Sequence, residues 1–133
     1  MKRIFLIEDD PVYAEFLKKS LERNREFLVQ IYQSAEDCLK SLESEINPNY
    51  IIIDYFLPGM SGIEFYKKLK QQKVKAMVII LSGNTDGSLV VDLIKQGIRN
   101  YVVKDENVID SLTSIFDENP DKLIDIYSSR NGK

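Results

Sequence analysis

The chain has 133 residues, a formal net charge of −3 and a sequence pI near 5.1, with one cysteine and no histidine. The acidic balance argues against direct nucleic-acid binding, and the lack of histidine excludes histidine-ligated zinc, Ser-His catalysis and a phosphohistidine on this chain. Cys38 has no disulfide partner, and no apolar stretch is long enough to span a membrane, so we expect a cytoplasmic protein. We expect Cys38 to be a small buried hydrophobic residue.

Five apolar runs with the composition of strands alternate with five segments of helical periodicity. The predicted strands, in chain order, are residues 2–7, 27–32, 50–54, 76–81 and 101–103. The predicted helices that follow them are residues 11–24, 35–44, 62–71, 86–96 and 106–117. This alternation predicts an α/β fold with a doubly wound, five-stranded parallel sheet of flavodoxin-like order 2-1-3-4-5 and helices on both faces.

The first helix has a clear start, because Asp10 followed by Pro11 is a favoured pair of N-cap and first helical residue. Apolar residues then recur at helical spacing, which indicates an amphipathic helix. The expected apolar positions are Val12, Phe16, Leu17 and Leu21.

The stretch 50–62 carries the strongest signal in the chain. Residues 50–53 include no charged side chain, as is typical of a strand buried on both faces, and Asp54 is the first charged group at the carboxyl end. Ligands bind outside the carboxyl ends of strands in open α/β sheets. A turn then leads to a helix whose start has a capping-box pattern, Ser61 followed by Glu64. The positions expected to face inward in this helix are Ile63, Tyr66 and Leu69.

The sequence predicts one domain over residues 1–118. Asn119 and Pro120 open a short helical extension, and the polar tail completes the segment 119–133, which is too short for an output domain.

Polar side chains follow four of the five predicted strands. Glu8 and Asp9 follow the first strand, Asp54 ends the third, Ser82 follows the fourth and Lys104 follows the fifth. Carboxylates crowded at one sheet edge repel each other unless a cation lies among them, and an all-oxygen ligand set suits Mg²⁺. A hydroxyl and an ammonium group could hold the remaining oxygens of a phosphoryl group, and a carboxylate beside Mg²⁺ is a known covalent acceptor of phosphoryl groups.

These motifs together resemble the receiver domain of two-component response regulators. The resemblance covers residues 2–117 with all motifs in order, and it implies that Asp54 accepts a phosphoryl group from a histidine kinase or a histidine phosphotransfer protein. The matching segments are residues 7–11 (Ile-Glu-Asp-Asp-Pro), Asp54 with 57–62 (Leu-Pro-Gly-Met-Ser-Gly), 80–83 (Ile-Leu-Ser-Gly) and 101–104 (Tyr-Val-Val-Lys).

The resemblance also implies roles for the residues around the acceptor. Mg²⁺ would be bound by Asp9, by Asp54 and by the backbone carbonyl of Phe56, with Glu8 acting through water. Ser82 and Lys104 would contact the phosphoryl oxygens. Tyr101 would be an aromatic switch that turns inward when Ser82 moves toward the phosphoryl group, since a gained dianion attracts a hydroxyl and an ammonium.

Two positions depart from the family pattern. The family usually has proline after the lysine, in a cis peptide, whereas this chain has Asp105, and a cis bond before a non-proline residue costs about 2.5–4 kcal/mol. We therefore predict a trans Lys104–Asp105 bond, with Asp105 capping the fifth helix. Phe56 lies two residues after the acceptor, where a polar side chain could orient an attacking water. We expect this bulky apolar residue to make the phosphorylated form long-lived.

The partners implied are a phosphodonor protein and a downstream protein that binds the surface of the fourth helix, fifth strand and fifth helix. A homodimer that forms through this surface on phosphorylation is a further hypothesis. Neither nucleic-acid nor membrane binding is expected, and neither is enzymatic activity beyond slow autodephosphorylation.

Other functions fit parts of the pattern. Singly, Asp54 could cap a turn, Ser82 could be a turn residue and Lys104 could be solvent-exposed. An Asp-nucleophile phosphatase usually has a second carboxylate where this chain has Phe56, and a nucleotide or flavin site would need a glycine-rich phosphate loop that is absent. A degenerate receiver that acts as a phosphorylation-independent scaffold is the main alternative.

Overall fold

The strands and helices of the computed structural model, which describes residues 1–44, 47–83 and 87–117, alternate along the chain as the sequence predicts. All strand pairs are parallel, and the sheet has the order β2-β1-β3-β4-β5, which confirms the predicted fold. The strands are β1 Lys2–Ile7, β2 Phe27–Tyr32, β3 Tyr50–Asp54, β4 Met77–Ser82 and β5 Asn100–Val103. The helices are α1 Pro11–Leu21, α2 Ala35–Ser41, α3 Gly62–Gln71, α4 Gly87–Lys95 and α5 Val108–Asp117.

The core consists of two apolar clusters, one on each face of the sheet. Successive side chains of a strand point to opposite faces, so Ile52 of β3 packs on the face covered by α1 and α5, while Ile51 and Ile53 pack against α2, α3 and α4. Every residue of β3 is buried, as expected for the central strand of a doubly wound sheet. Cys38 is buried among the apolar residues of the second cluster, as predicted.

The predicted apolar face of α1 is wrong at two positions. The helix buries Ala14, Leu17 and Leu21, whereas Val12 is 79% exposed and Phe16 is 48% exposed. Positions 14, 17 and 21 follow one face at the helical period, and a residue two positions away lies on the other side. The small Ala14 is buried in the core cluster beneath α1, which apolar spacing alone did not reveal.

The inward face of α3 also differs in part from the prediction. Leu69 is buried as expected, but the most deeply buried large residue of this helix is Phe65, which the prediction omitted. Ile63 and Tyr66 are only half-buried and pack at the margin of the cluster.

Helix boundaries follow their capping interactions. The side chains of Asp10 and Ser61 accept backbone N–H groups at the starts of α1 and α3, as predicted, and the side chain of Ser34 accepts the N–H of Asp37 at the start of α2. The helices α1 and α2 end three residues earlier than predicted, because the chain tightens into turns after Leu21 and Ser41.

The prediction that Asp105 caps α5 is wrong, because the helix begins at Val108, two residues later than predicted, and the carbonyl of Asn107 accepts its first helical bond, from Ser111 N–H at 2.9 Å. The side chain of Asp105 instead accepts the N–H of Asn107 at 2.9 Å in the turn before the helix. No cis peptide bond occurs in the three described ranges, so the predicted trans Lys104–Asp105 bond is confirmed. The predicted helical extension that begins at Asn119 and Pro120 lies outside the described residues. Among the helices described, none combines the length and apolar character needed to cross a membrane.

Candidate functional site

The acidic residues converge at the carboxyl edge of the sheet because β1 and β3 are neighbours. Ile7 of β1 pairs with Ile53 of β3, so the residues that follow Ile7 lie beside Asp54. Carboxylate oxygens of Glu8, Asp9 and Asp54 all lie within 4.8 Å of one another. Glu8 and Asp54 are buried and Asp9 is exposed, so the cluster opens to solvent on the Asp9 side.

Lys104 supplies the positive charge of this cluster. Its backbone N–H bonds the carbonyl of Ser82 at 2.9 Å, which anchors the end of β5 to β4. Its ammonium Nζ donates to Glu8 Oε1 at 2.6 Å and to Asp54 Oδ2 at 2.7 Å. Both distances are those of charge-assisted hydrogen bonds, so the ammonium bridges two carboxylates from different strands.

Burial and charge shift the proton affinities of this group. Burial raises the pKa of Glu8 to about 7, against the hydrogen bond from Lys104, and the nearby Asp54 carboxylate adds to the rise. Burial disfavours the charged form of Lys104, but the hydrogen bonds to Asp54 and Glu8 outweigh this effect, so the pKa of Lys104 is raised. The ammonium therefore remains charged at neutral pH.

The Asp54 oxygen that does not contact Lys104 also accepts a hydrogen bond. Asp54 Oδ1 accepts the backbone N–H of Phe56 at 3.2 Å, so both carboxylate oxygens have a donor and the carboxylate has a fixed orientation. The side chain of Phe56 is 60% exposed and packs edge to face on Tyr55, with ring centroids 4.7 Å apart. The role of the Phe56 carbonyl as a metal ligand stays a prediction.

Ser82 and Tyr101 lie on the neighbouring strands, as predicted. Ser82 ends β4 and is fully buried, directly after Leu81, which pairs with Asp54. Tyr101 is half-buried in β5 and packs against the cluster under α4. The structure thus brings Glu8, Asp9, Asp54 and Lys104 together and places Ser82 beside them, while the switching roles of Ser82 and Tyr101 stay predictions.

Tyr13 of α1 belongs to the site and was missed by the sequence analysis. The Lys104 Nζ atom lies 4.8 Å from the centroid of the Tyr13 ring. An aromatic residue in the first turn of the helix after the acidic cluster was the available signal. Sequence spacing alone did not show that this ring would meet a lysine 91 positions later in the chain, because the contact depends on how α1 packs against the end of β5.

The response regulator receiver domain family model matches residues 4–116. The chain belongs to this family. The matched part spans less than half the length of several curated relatives. One relative covered more fully is the chemotaxis protein CheY of Listeria monocytogenes, which is 28% identical over 101 residues, covering 74% of this chain and 83% of that protein. The transcriptional regulatory protein AfsQ1 of Streptomyces coelicolor is 34% identical over 104 residues, covering 78% of this chain and 45% of that protein.

Solved structures agree with this assignment. The response regulator TrrA of Thermotoga maritima in complex with Mg²⁺ and BeF is 29% identical, with a TM-score of 0.76, covering 87% of this chain and 96% of that chain. The receiver domain of the Francisella response regulator 1452 is 26% identical, with a TM-score of 0.73, covering 85% of this chain and 95% of that chain. Receiver domains are signalling domains, and those of response regulators interact with histidine kinases.

The donor set fits a hard divalent cation. All three clustered acidic groups offer carboxylate oxygens, and one of them, Asp9, faces solvent, from which water ligands are available. Mg²⁺ is bound in proteins mainly by one or two carboxylates together with waters and phosphate oxygens.

Proposed function

We propose that this receiver domain accepts a phosphoryl group on Asp54 from the phosphohistidine of a histidine kinase or a histidine phosphotransfer protein, in the cytoplasm, and signals by a change of conformation. The observation that carries this proposal is the convergence of Glu8, Asp9 and Asp54, with Lys104 bonded to two of them. A site built only for stability has little use for three carboxylates and one lysine at a sheet edge, since buried charges are costly.

The fixed carboxylate of Asp54 suits it to act as a nucleophile. One of its oxygens forms a bond to phosphorus while the bond between phosphorus and the donor's imidazole nitrogen breaks, and the imidazole leaves with the electron pair. The product is an acyl phosphate on Asp54. Lys104, already 2.7 Å from an Asp54 oxygen, can move its hydrogen bond to a phosphoryl oxygen without a large displacement.

The cation that fits the acidic residues is Mg²⁺, held by Asp9 and Asp54, with the Phe56 carbonyl as a further ligand and Glu8 acting through water. Bound there, Mg²⁺ would neutralise negative charge on the phosphoryl oxygens and on the crowded carboxylates. Support for this choice comes from the carboxylate donor set and from the TrrA structure, which holds Mg²⁺ with BeF.

The signal would pass from Ser82 and Tyr101 to the surface formed by α4, β5 and α5. Ser82 would bond a phosphoryl oxygen and Tyr101 would turn inward. The α4 helix carries two exposed aliphatic residues, Val91 at 48% and Ile94 at 63%, and these support partner binding at this surface. The signalling unit proposed is residues 1–118, which acts on a partner protein and not as an enzyme.

The test is intact-mass spectrometry after incubation with acetyl phosphate and Mg²⁺. We expect the wild-type protein to gain one phosphoryl group, and we expect no gain in Asp54→Asn or without Mg²⁺. Asp10→Asn is the matched control, because Asp10 is an exposed neighbour whose capping role asparagine can fill. A folded wild-type protein that gains nothing would instead favour the phosphorylation-independent scaffold.

A further inference from the structure

Tyr13 lies against the Lys104 ammonium, which also donates hydrogen bonds to two carboxylates. Nζ has three N–H groups, and two of them are directed to Glu8 and Asp54. The face of the Tyr13 ring is 4.8 Å from Nζ, well within the range of a cation–π interaction. The Lys104 side chain is 22% exposed, so this contact is partly shielded from water.

We propose that Tyr13 is a positioning residue for Lys104, and that its ring keeps the ammonium at the site when the hydrogen bond to Asp54 is exchanged for one to the phosphoryl group. This inference rests on the proposed phosphoryl transfer. A lysine side chain is flexible, and the exchange removes one of the two carboxylate contacts that fix it. The attraction to an aromatic face does not depend on the state of Asp54, so it persists through the exchange.

Tyr13 is itself held firmly enough for this role. It lies in the first turn of α1, where its backbone N–H donates to Asp10 Oδ1 at 3.3 Å. Its ring packs against the α1–α5 core cluster and lies 5.9 Å from the ring of Phe16. The position of the ring is therefore set by the helix cap and the core, and not by Lys104 alone.

The contact works through the ring and not through the hydroxyl. The Tyr13 hydroxyl is buried and has no hydrogen-bond partner within the part of the chain that the structure describes. Burial, reinforced by the carboxylates of Glu8, Asp54 and Asp105, raises the pKa of Tyr13 in spite of the nearby ammonium. Tyr13 is thus a neutral aromatic ring, and phenylalanine should be able to replace it.

The decisive experiment changes the electrostatics of the ring at nearly constant shape. The full chain is prepared with phenylalanine or with mono-, di- and trifluorinated phenylalanine at position 13, and the rate of phosphorylation by acetyl phosphate is measured with Mg²⁺. We expect the phenylalanine form to react within about two-fold of the wild-type rate. Fluorine withdraws negative charge from the ring face, so we expect the rate to fall with each added fluorine, to about one fifth of the phenylalanine rate in the trifluorinated form. A rate that does not change with fluorination overturns the proposal.

Two controls separate positioning from packing. Phe16→Leu removes the half-exposed ring beside Tyr13 while the Tyr13 ring itself stays in the chain, and its rate should remain near that of wild type, whereas Tyr13→Leu should be slowed. In a Lys104→Met background the fluorinated series should show no trend, because the cation is gone. A fluorine trend that persists in that background would assign the effect to something other than Lys104.

A second measurement does not depend on phosphorylation. In the unphosphorylated protein, the ring current of Tyr13 should shift the NMR signals of the Lys104 ε-methylene protons upfield, and Tyr13→Leu should abolish that shift. The absence of any shift in wild type overturns the contact. If wild type shows the shift but takes no phosphoryl group, the proposed function fails and the role of Tyr13 in phosphoryl transfer fails with it. If the wild type is phosphorylated but the rate does not change along the fluorinated series, only the role of Tyr13 is refuted and the proposed function stands.

Discussion

Some residues at the sheet edge carry charge, and others are apolar and control the access of water to the acceptor. Glu8 is 1% exposed and shares the Lys104 ammonium with Asp54, so its charge depends on a lysine that the phosphoryl group would also attract. Phe56 lies two residues after the acceptor and carries no charge. The consequences of these two residues can be measured separately.

Glu8 should make stability depend on pH in the absence of Mg²⁺. Its pKa rises from the ordinary value of 4.5 to about 7 on folding, so between these values the folded state binds a proton that the unfolded state has lost. The free energy of unfolding should therefore fall as pH rises from 4.5 to about 7, by up to roughly 3 kcal/mol. Urea unfolding at a series of pH values, with a chelator present, measures this. Glu8→Gln should lack this part of the dependence, and parallel curves for the two proteins would contradict the prediction.

Phe56 should prolong the life of the phosphorylated form. A bulky apolar side chain at this position cannot orient a water for attack on the phosphoryl group, whereas an amide can. We expect Phe56→Asn to shorten the half-life by roughly ten-fold, a change of about 1.4 kcal/mol in the barrier. Loss of the phosphoryl group can be followed by intact mass after removal of acetyl phosphate. Phe56→Leu, which stays apolar, should retain the long half-life, and equal half-lives for all three proteins would count against the idea.

At the scale of elements, the sequence predicted what depends on composition and missed what depends on packing. The central strand was readable because an unbroken apolar run that ends at the carboxylate of Asp54 is typical of a strand buried on both faces. The buried face of α1 could not be predicted, because Val12 and Phe16 are as apolar as the residues that are buried. Which face is buried depends on the sheet beneath the helix. Phe65 was missed for the same reason, since helical spacing allows more than one apolar stripe along α3.

The start of α3 should depend on its cap. Ser61 Oγ accepts the N–H of Glu64 at 3.2 Å and satisfies a donor that has no partner within the helix. Ser61→Ala should lower the free energy of unfolding by about 1 kcal/mol, and Ser61→Asp should restore most of it, because aspartate also caps. Urea unfolding at neutral pH compares the three proteins. An alanine variant as stable as wild type would show that the cap contributes nothing here.

At the scale of the whole molecule, topology accounts for most of what could be predicted about the site. A sheet of order 2-1-3-4-5 places the ends of β1 and β3 side by side, so Glu8, Asp9 and Asp54 had to meet once the order was known. The details beyond topology were not readable from the sequence. The double hydrogen bond of Lys104 and its contact with Tyr13 depend on side-chain directions and on the packing of α1, for which spacing along the chain gives no rule.

The exposed aliphatic residues Val91 and Ile94 lie on α4, which is the helix that follows Ser82 along the chain. Phosphorylation that moves Ser82 would rearrange the start of α4, and burial of Val91 and Ile94 against a second copy would then be favourable. We expect the protein to elute as a monomer alone and as a dimer with Mg²⁺ and beryllofluoride in size-exclusion chromatography with light scattering.

Two variants locate the interface. Ile94→Asp places a charge on α4 and should keep the protein monomeric with beryllofluoride. Val12→Asp places the same charge on a more exposed aliphatic position of α1 and should still permit the dimer. The pair matters because both changes add one negative charge to an acidic protein, so a difference between them reports on location and not on net charge. An unchanged mass on addition of beryllofluoride would show that this surface is not used for self-association, and it would leave binding of a different protein as the output of the domain.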